Sequence, residues 1–324
     1  MKDRIQYAWT VAVLLILVGV ALCGCPRSQP SQVRSDGDRK VAQRRLAIPD
    51  LGITLIPIEK GEFVMGSPKD EAGRTEDERQ HRVKLTKPFW LGATEVTIEQ
   101  FRAYLKDTDN IKGVYFQSFC PLRDDALYSL RANIFASSKN QPMVGVSFEA
   151  ATGFCEWLTQ RERAAGRLPA GQIYRLPTEA EWEFACRAGS PAAYSFGGDA
   201  RLLHEHGNYC DRSCTENFTW KDAEYSDGYD RTAPVGQYHP NSFGLYDMHG
   251  NVYEWCADWY GAYPAGVATD PTGPAEGTRR VLRGGSWRFD AFECRSASRQ
   301  AFKPSIATRS LGFRVARGTG WGHP

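Results

Sequence analysis

Beyond Gly189 the chain carries no sustained helical period, only short apolar runs set between glycine turns. The densest of these are GLYDMHGNVYEW (Gly244–Trp255), RGGSW (Arg283–Trp287) and LGFRVA (Leu311–Ala316). Such a stretch folds as loops and short strands pinned by large aromatic side chains. With 31 Gly, 18 Pro and 9 Trp, the composition points the same way and away from a helical bundle.

Upstream, regular elements are legible. LGITLIPIEKGEFVMGS (Leu51–Ser67) reads as two short strands around a turn at Lys60–Gly61. Pro68–Arg79 is charged and expected to be a surface loop. His81–Leu85 and Phe89–Ala93 read as strands. Thr97–Gln100 is a capping box that opens a helix reaching about Lys106. Lys112–Gln141 is long and irregular. Ser147 caps a second helix with Phe154, Cys155 and Leu158 on one face, and Thr178–Glu181 opens a third that buries Trp182 and Ala185. No internal repeat or second linker interrupts the run from Ile48 to about Arg317.

The N-terminus reads as an export signal. Lys2 and Arg4 precede an apolar run, Ala8–Leu22, of signal-peptide length. It ends Leu22-Cys23-Gly24-Cys25, which resembles a bacterial lipobox with Cys25 as the lipidated residue. The other reading is an uncleaved N-terminal anchor. The expected domains are a signal peptide over 1–25, a flexible tether over 26–48, a single folded domain over 49–317 and a tail over 318–324. The protein is thus expected to be exported and held at the membrane by its lipid, in the periplasm or on the cell surface. The formal charge of +2 is concentrated in the N-terminal segments, leaving the folded part net negative. That excludes the basic footprint of a nucleic-acid binder.

Asp247 and Glu254 stand seven apart, and a bend through Gly250 brings both carboxylates toward one cation. Backbone carbonyls complete such a shell, and hard oxygen donors suit calcium. Asp and Asn also cap turns, which is the structural alternative.

With RLPTEAEWEFACRAG (Arg175–Gly189), the motifs above resemble the formylglycine-generating enzyme family, also called the sulfatase-modifying factor family. The resemblance spans roughly residues 49–317 with motifs in the same order. It implies an α+β fold, an elaborated C-type-lectin-like domain that is loop-rich and low in regular secondary structure. It implies calcium on Asp247, Glu254 and the backbone oxygens of Gly250 and Val252. A second calcium is implied on Asn208 and Asp227 with the carbonyls of Tyr209 and Tyr229, although here a Cys-bearing insertion lengthens the Asn208–Asp227 spacing. Asp247 stands where the family usually has Asn. Ser286 and Tyr253 match residues that line the family's substrate groove.

The family oxidase binds copper(I) through a cysteine pair, because soft thiolates select that ion. Three residues past Ser286 this chain has Phe289 in place of the first cysteine. Counting forward puts Cys294 at the second position, whereas alignment on Arg295–Arg299 moves it away. Val315 and Ser296 stand where two further family cysteines would find partners. Of nine cysteines, Cys23 and Cys25 belong to the export signal, Cys120 falls in the irregular stretch, and Cys155 and Cys186 read as core residues. Cys210 and Cys214 fit a local disulfide better than a zinc site with His204 and His206. Cys256 and Cys294 are a disulfide pair or separate thiols.

The expected function is therefore that of an exported lipoprotein lacking the paired-cysteine copper site, a calcium-stabilised binding or envelope-scaffold domain. Its partner would be an envelope protein or peptide segment. The alternative is an oxidase that converts a sulfatase cysteine to formylglycine with copper(I), with Cys294, Ser286 and Tyr253 as candidate catalytic residues. A second alternative is another oxidative tailoring enzyme of the periplasm.

Overall fold

Three caps set the long helices where the sequence places them. In the computed structural model, which describes residues 45–108 and 139–320, the Thr97 N–H donates to Gln100 and the Gln100 N–H donates back to the Thr97 hydroxyl. This opens α1 (Ile98–Thr108). The Ser147 Oγ accepts from the Ala150 N–H at the head of α2 (Phe148–Ala164). Thr178 and Glu181 form the reciprocal box that starts α3 (Glu179–Arg187). Each cap satisfies backbone donors that the first helical turn leaves unpaired.

Three small sheets carry the remaining regular structure. The first orders β1 (Leu46–Ile48), β2 (Ile53–Ile58), β5 (Phe89–Gly92), β12 (Ala316–Thr319) and β6 (Gln172–Arg175), every neighbour antiparallel. The second orders β10 (Gln300–Phe302), β9 (Arg280–Arg283), β7 (Tyr253–Trp259) and β11 (Leu311–Gly312), the last pair parallel. The third joins β3 (Gly61–Met65), β4 (His81–Leu85) and β8 (Val267–Thr269). A one-turn helix, α4 (Leu203–His206), lies in the loop-rich half. This is the loop-rich α+β architecture expected from the sequence.

Packing follows the periodicity. The inner faces of α1 and α2 meet in an aromatic knot of Phe101, Tyr104, Phe154 and Phe313, with ring centroids 5.2–6.2 Å apart. Trp182 on α3 anchors a second cluster with Leu245, Met248 and Cys256. Cys155 and Cys186 are core residues, as expected.

Two expectations are corrected. The stretch read as tether, 26–48, ends in a strand: Leu46–Ile48 pairs with β2, and Ile48 is buried because the left-handed Gly52 (φ 63°) folds the chain back on itself. The charged segment 68–79 is a loop but is anchored inward. Glu78 is fully buried, its carboxylate held by Arg295 at 2.7 and 2.8 Å, so charge there is an internal tie and not solvation. The export signal, Cys25, the tether up to residue 44 and Cys120 lie outside the described residues. Among the described residues no helix is long and apolar enough to cross a membrane.

Guanidinium groups recur at the centre of this loop-rich structure. Arg314, fully buried, holds Glu254 at 2.6 and 2.7 Å and donates to the carbonyls of Gly92 and Tyr246 at 3.0 Å each. Removing one partner of such a pair strands the other charge. Arg314→Leu is therefore expected to destabilise the domain by about 3–5 kcal/mol, read as a lowered urea midpoint. An unchanged midpoint would contradict the assignment.

Candidate functional site

The turn between Leu245 and Val252 is held in backbone conformations that few residues adopt. Asp247, Gly250 and Asn251 have φ of 58°, 110° and 62°. Gly250 has no alternative: a Cβ there would lie 2.2 Å from the Asn208 carbonyl oxygen. The turn is stitched to two distant segments. The Asn251 N–H donates to the Asn208 carbonyl at 2.7 Å, the Gly250 N–H donates to Gly284 at 2.7 Å, and the Trp287 N–H donates to Asn251 at 3.0 Å. The motif around Gly250, the Asn208 loop and the RGGSW segment thus meet at one place.

The buried oxygens at this junction are incompletely satisfied. Asp247 accepts from the Gly236 N–H with one oxygen, while its Oδ1 has no hydrogen-bond partner. Glu95 stands opposite; its Oε1 accepts from Asn251 and its Oε2 is unpartnered. Burial raises both carboxyls, and for Glu95 the negative Asp247 adds to the effect. The Asn208 amide donates to the Arg231 carbonyl and to Asn251, which fixes its orientation and leaves Oδ1 buried without a partner. Asp227 accepts from the N–H groups of Tyr209 and Tyr229, each at 2.9 Å. Its carboxyl is pushed up to about 7 by burial, with Asp211 adding to the effect. Glu254 lies in the same buried region but is engaged by Arg314 and by the Trp182 indole N–H at 2.8 Å.

The sequence reading joins Asp247 to Glu254; the structure adds Glu95, whose place no spacing pattern signals. Unpartnered oxygens among excess carboxylates have the chemistry of hard-cation donors. Among the described residues no group of three His, Cys, Asp or Glu side chains has the arrangement to hold a metal ion. The oxygen donors at these two places are instead amide, carboxylate and backbone atoms.

Ser286 and Tyr253 are both buried, beside the partly buried Phe289. The Tyr253 hydroxyl donates to Glu293 at 2.9 Å, and its ring meets Phe289 edge-on at 5.4 Å. Phe289 is stacked under Trp220 at 6.4 Å, and Trp220 on Phe218 at 4.8 Å. The insertion that carries Trp220 is tied down along its length. The Cys210 N–H donates to the Phe289 carbonyl at 2.8 Å, the Trp220 indole N–H to the Arg288 carbonyl at 3.1 Å, and Arg309 pairs with Glu216.

All six described cysteines are free. Cys256 packs in the cluster around Trp182, whereas Cys294 packs with Tyr194, Leu203 and Tyr209, so these two are separate thiols and not a pair. Cys210 and Cys214 are neighbouring thiols, and burial followed by contact with Cys214 pushes Cys210 up to about 12. Cys294 is fully buried, and burial raises its thiol well above the ordinary range. These surroundings do not fit copper(I). The ion needs paired thiolates, and the position three past Ser286 carries a phenyl ring.

Residues 49–319 match the family described as sulfatase-modifying factor enzyme 1-like domain. The chain is 36% identical to "Serine/threonine-protein kinase pkn1" of Chlamydia pneumoniae over 81% of its own length, but spans only 38% of that protein. It is 32% identical to the "Formylglycine-generating enzyme" of Streptomyces coelicolor, covering 79% of this chain and 86% of that protein. In three dimensions it is similar to PvdO from Pseudomonas aeruginosa, with a TM-score of 0.68 and 30% identity over 84% of this chain and 97% of the other.

The burial of Cys294 makes a direct prediction. In the native protein at pH 8 this thiol should resist iodoacetamide, and it should label fully once urea unfolds the chain. Peptide mapping of native samples that found rapid labelling at Cys294 would show an accessible thiolate instead.

Proposed function

The chain belongs to the sulfatase-modifying factor enzyme 1-like domain family, and from that premise we propose that it is a calcium-braced binding domain of the cell envelope and not a formylglycine-generating oxidase. The observation that carries this reading is Phe289. Its ring sits between Tyr253 and Trp220, at the sequence position of the first cysteine of the family's copper pair. A phenyl ring supplies apolar contact area and no thiolate. The groove would lie at Phe289 and the exposed Trp220, over the buried Tyr253 and Ser286, and would hold a peptide segment of an envelope partner. Cys25 carries the lipid that keeps the exported domain at the membrane.

Calcium is assigned to the two junctions where buried oxygens lack partners. Asp247, Glu254 and the backbone oxygens of Gly250 and Val252 would hold one ion. Asn208, Asp227 and the carbonyls of Tyr209 and Tyr229 would hold the other. The support lies in the orphaned Oδ1 atoms of Asp247 and Asn208 and in the excess of negative charge beside each. When bound, the ions neutralise that charge and brace the loops. They take no part in a reaction.

The oxidase reading is tested on the folded domain with copper(I), oxygen, a thiol reductant and a peptide bearing the C-x-P-x-R motif. No conversion of cysteine to formylglycine is expected by mass spectrometry. Turnover that Cys294→Ser abolishes would overturn the binding reading. Calcium is tested separately by melting. A chelator should lower the melting temperature by roughly 5–10 °C relative to calcium at about 100 times Kd, and added calcium should restore it. An unmoved transition would remove both sites.

A further inference from the structure

The buried carboxylates fall into two sets. Glu78, Glu162, Glu179, Glu181, Glu183 and Glu254 each carry a guanidinium partner within 2.8 Å. Glu95, Asp211, Asp247 and Asp258 are equally buried, and no ion pair reaches them among the described residues. The first three lie at the junctions discussed above. Asp258, at the end of β7, does not. Its Oδ2 accepts from the Glu179 N–H at 2.9 Å, and its other oxygen has no hydrogen-bond partner.

Asp258 lines a cavity of about 310 Å³ whose other walls include Met65, His81, Glu179, Trp259, Tyr263 and Arg299. None of these belongs to the groove or to the calcium positions. The nearby cations are already engaged. Arg299 from the loop before β10 grips Glu179 at 2.6 and 2.9 Å. Arg280 on β9 donates to the Ala257 carbonyl and lies 3.5 Å over the Trp259 ring. Glu179 and Glu181 on α3 add negative charge, His81 faces the cavity from β4, and the Tyr263 hydroxyl donates to Glu179 at 3.0 Å. A carboxylate with one free oxygen therefore borders a largely apolar chamber whose one guanidinium, Arg299, is paired with Glu179.

We propose that this cavity binds a ligand bearing a primary ammonium group on a short aliphatic arm, with Asp258 as its anionic partner. A single free oxygen suits a compact ammonium. A guanidinium prefers both carboxylate oxygens, and here one is occupied by the helix N–H. A hard metal ion wants six or more oxygens, which walls of Met65, Trp259 and Pro264 do not offer. Those walls suit the methylene stem of the arm, and the chamber is ample for a lysine side chain. Burial, with Glu179 adding, holds the Asp258 carboxyl well above the usual carboxylate range. Pairing requires the ionised form, which an ammonium partner favours.

The probe is Nα-acetyl-lysine amide, measured by titration calorimetry on the full chain, with its Nε-acetylated form as the uncharged control. Saturable binding is expected, weaker by at least about tenfold both for the control and for Asp258→Asn. Asparagine keeps the acceptor for the Glu179 N–H and the side-chain volume, and a melting curve verifies its fold. If the variant is unfolded, the acetylated control still decides. No saturable binding up to about 10 mM, equal affinity for the control, or affinity unchanged in a folded Asn variant would overturn the proposal. The assay contains neither copper nor a cysteine peptide, so its outcome is independent of the groove's function.

Discussion

Buried guanidinium groups do in this domain what long strands and helices do in others. The sheets are short, and the loops between them leave carbonyls inside that need donors. Arg283 alone donates to the carbonyls of Ser296, Ala297 and Ser298 while pairing with Glu183. Arg295 donates to Phe292 and Gly73 while holding Glu71 and Glu78. Five donors in a planar fork allow one side chain to satisfy several loops at once. Such pairs add little net stability over apolar residues of equal volume, but breaking one is costly. Their effect is to hold irregular loops in a single arrangement.

That frame shapes the proposed function. The insertion bearing Cys210, Trp220 and Asp227 is bound at one end to the Asn208 junction and along its middle to the 286–290 segment. It brings an aromatic stack to Phe289 and places Asp227 against the backbone of Tyr209. The proposed groove wall and the proposed second calcium position are therefore parts of one loop assembly. Bracing the loop with an ion and shaping the surface for a partner become a single structural task.

The sequence was most readable where the determinants are local. Thr97–Gln100, Ser147 and Thr178–Glu181 act within three residues, and each opens its helix as expected. Phe289 is legible by its distance of three residues from Ser286. Long-range ties left no local trace. Glu78 and Arg295 lie 217 positions apart, so segment 68–79 read as a plain charged loop. Glu95 reaches Asn251 across 156 positions, and nothing beside it marks a site. Asp247 and Asn208 stood out through the family resemblance, since turn-capping and cation binding use the same residue types. The strand Leu46–Ile48 was lost in the tether because three residues carry too little period to register.

The order of charges along the chain has a kinetic consequence. The carboxylates at Glu71, Glu78, Glu179 and Glu183 precede the guanidiniums at Arg283, Arg295 and Arg299 that neutralise them. Until those arginines are made, Glu71, Glu78 and Glu179 lack the cations that neutralise them and resist burial. β12, which sits between β5 and β6 in the largest sheet, also follows those arginines in the chain. Closure of the core therefore waits for the segment from Arg283 to Thr319. High contact order makes that closure slow.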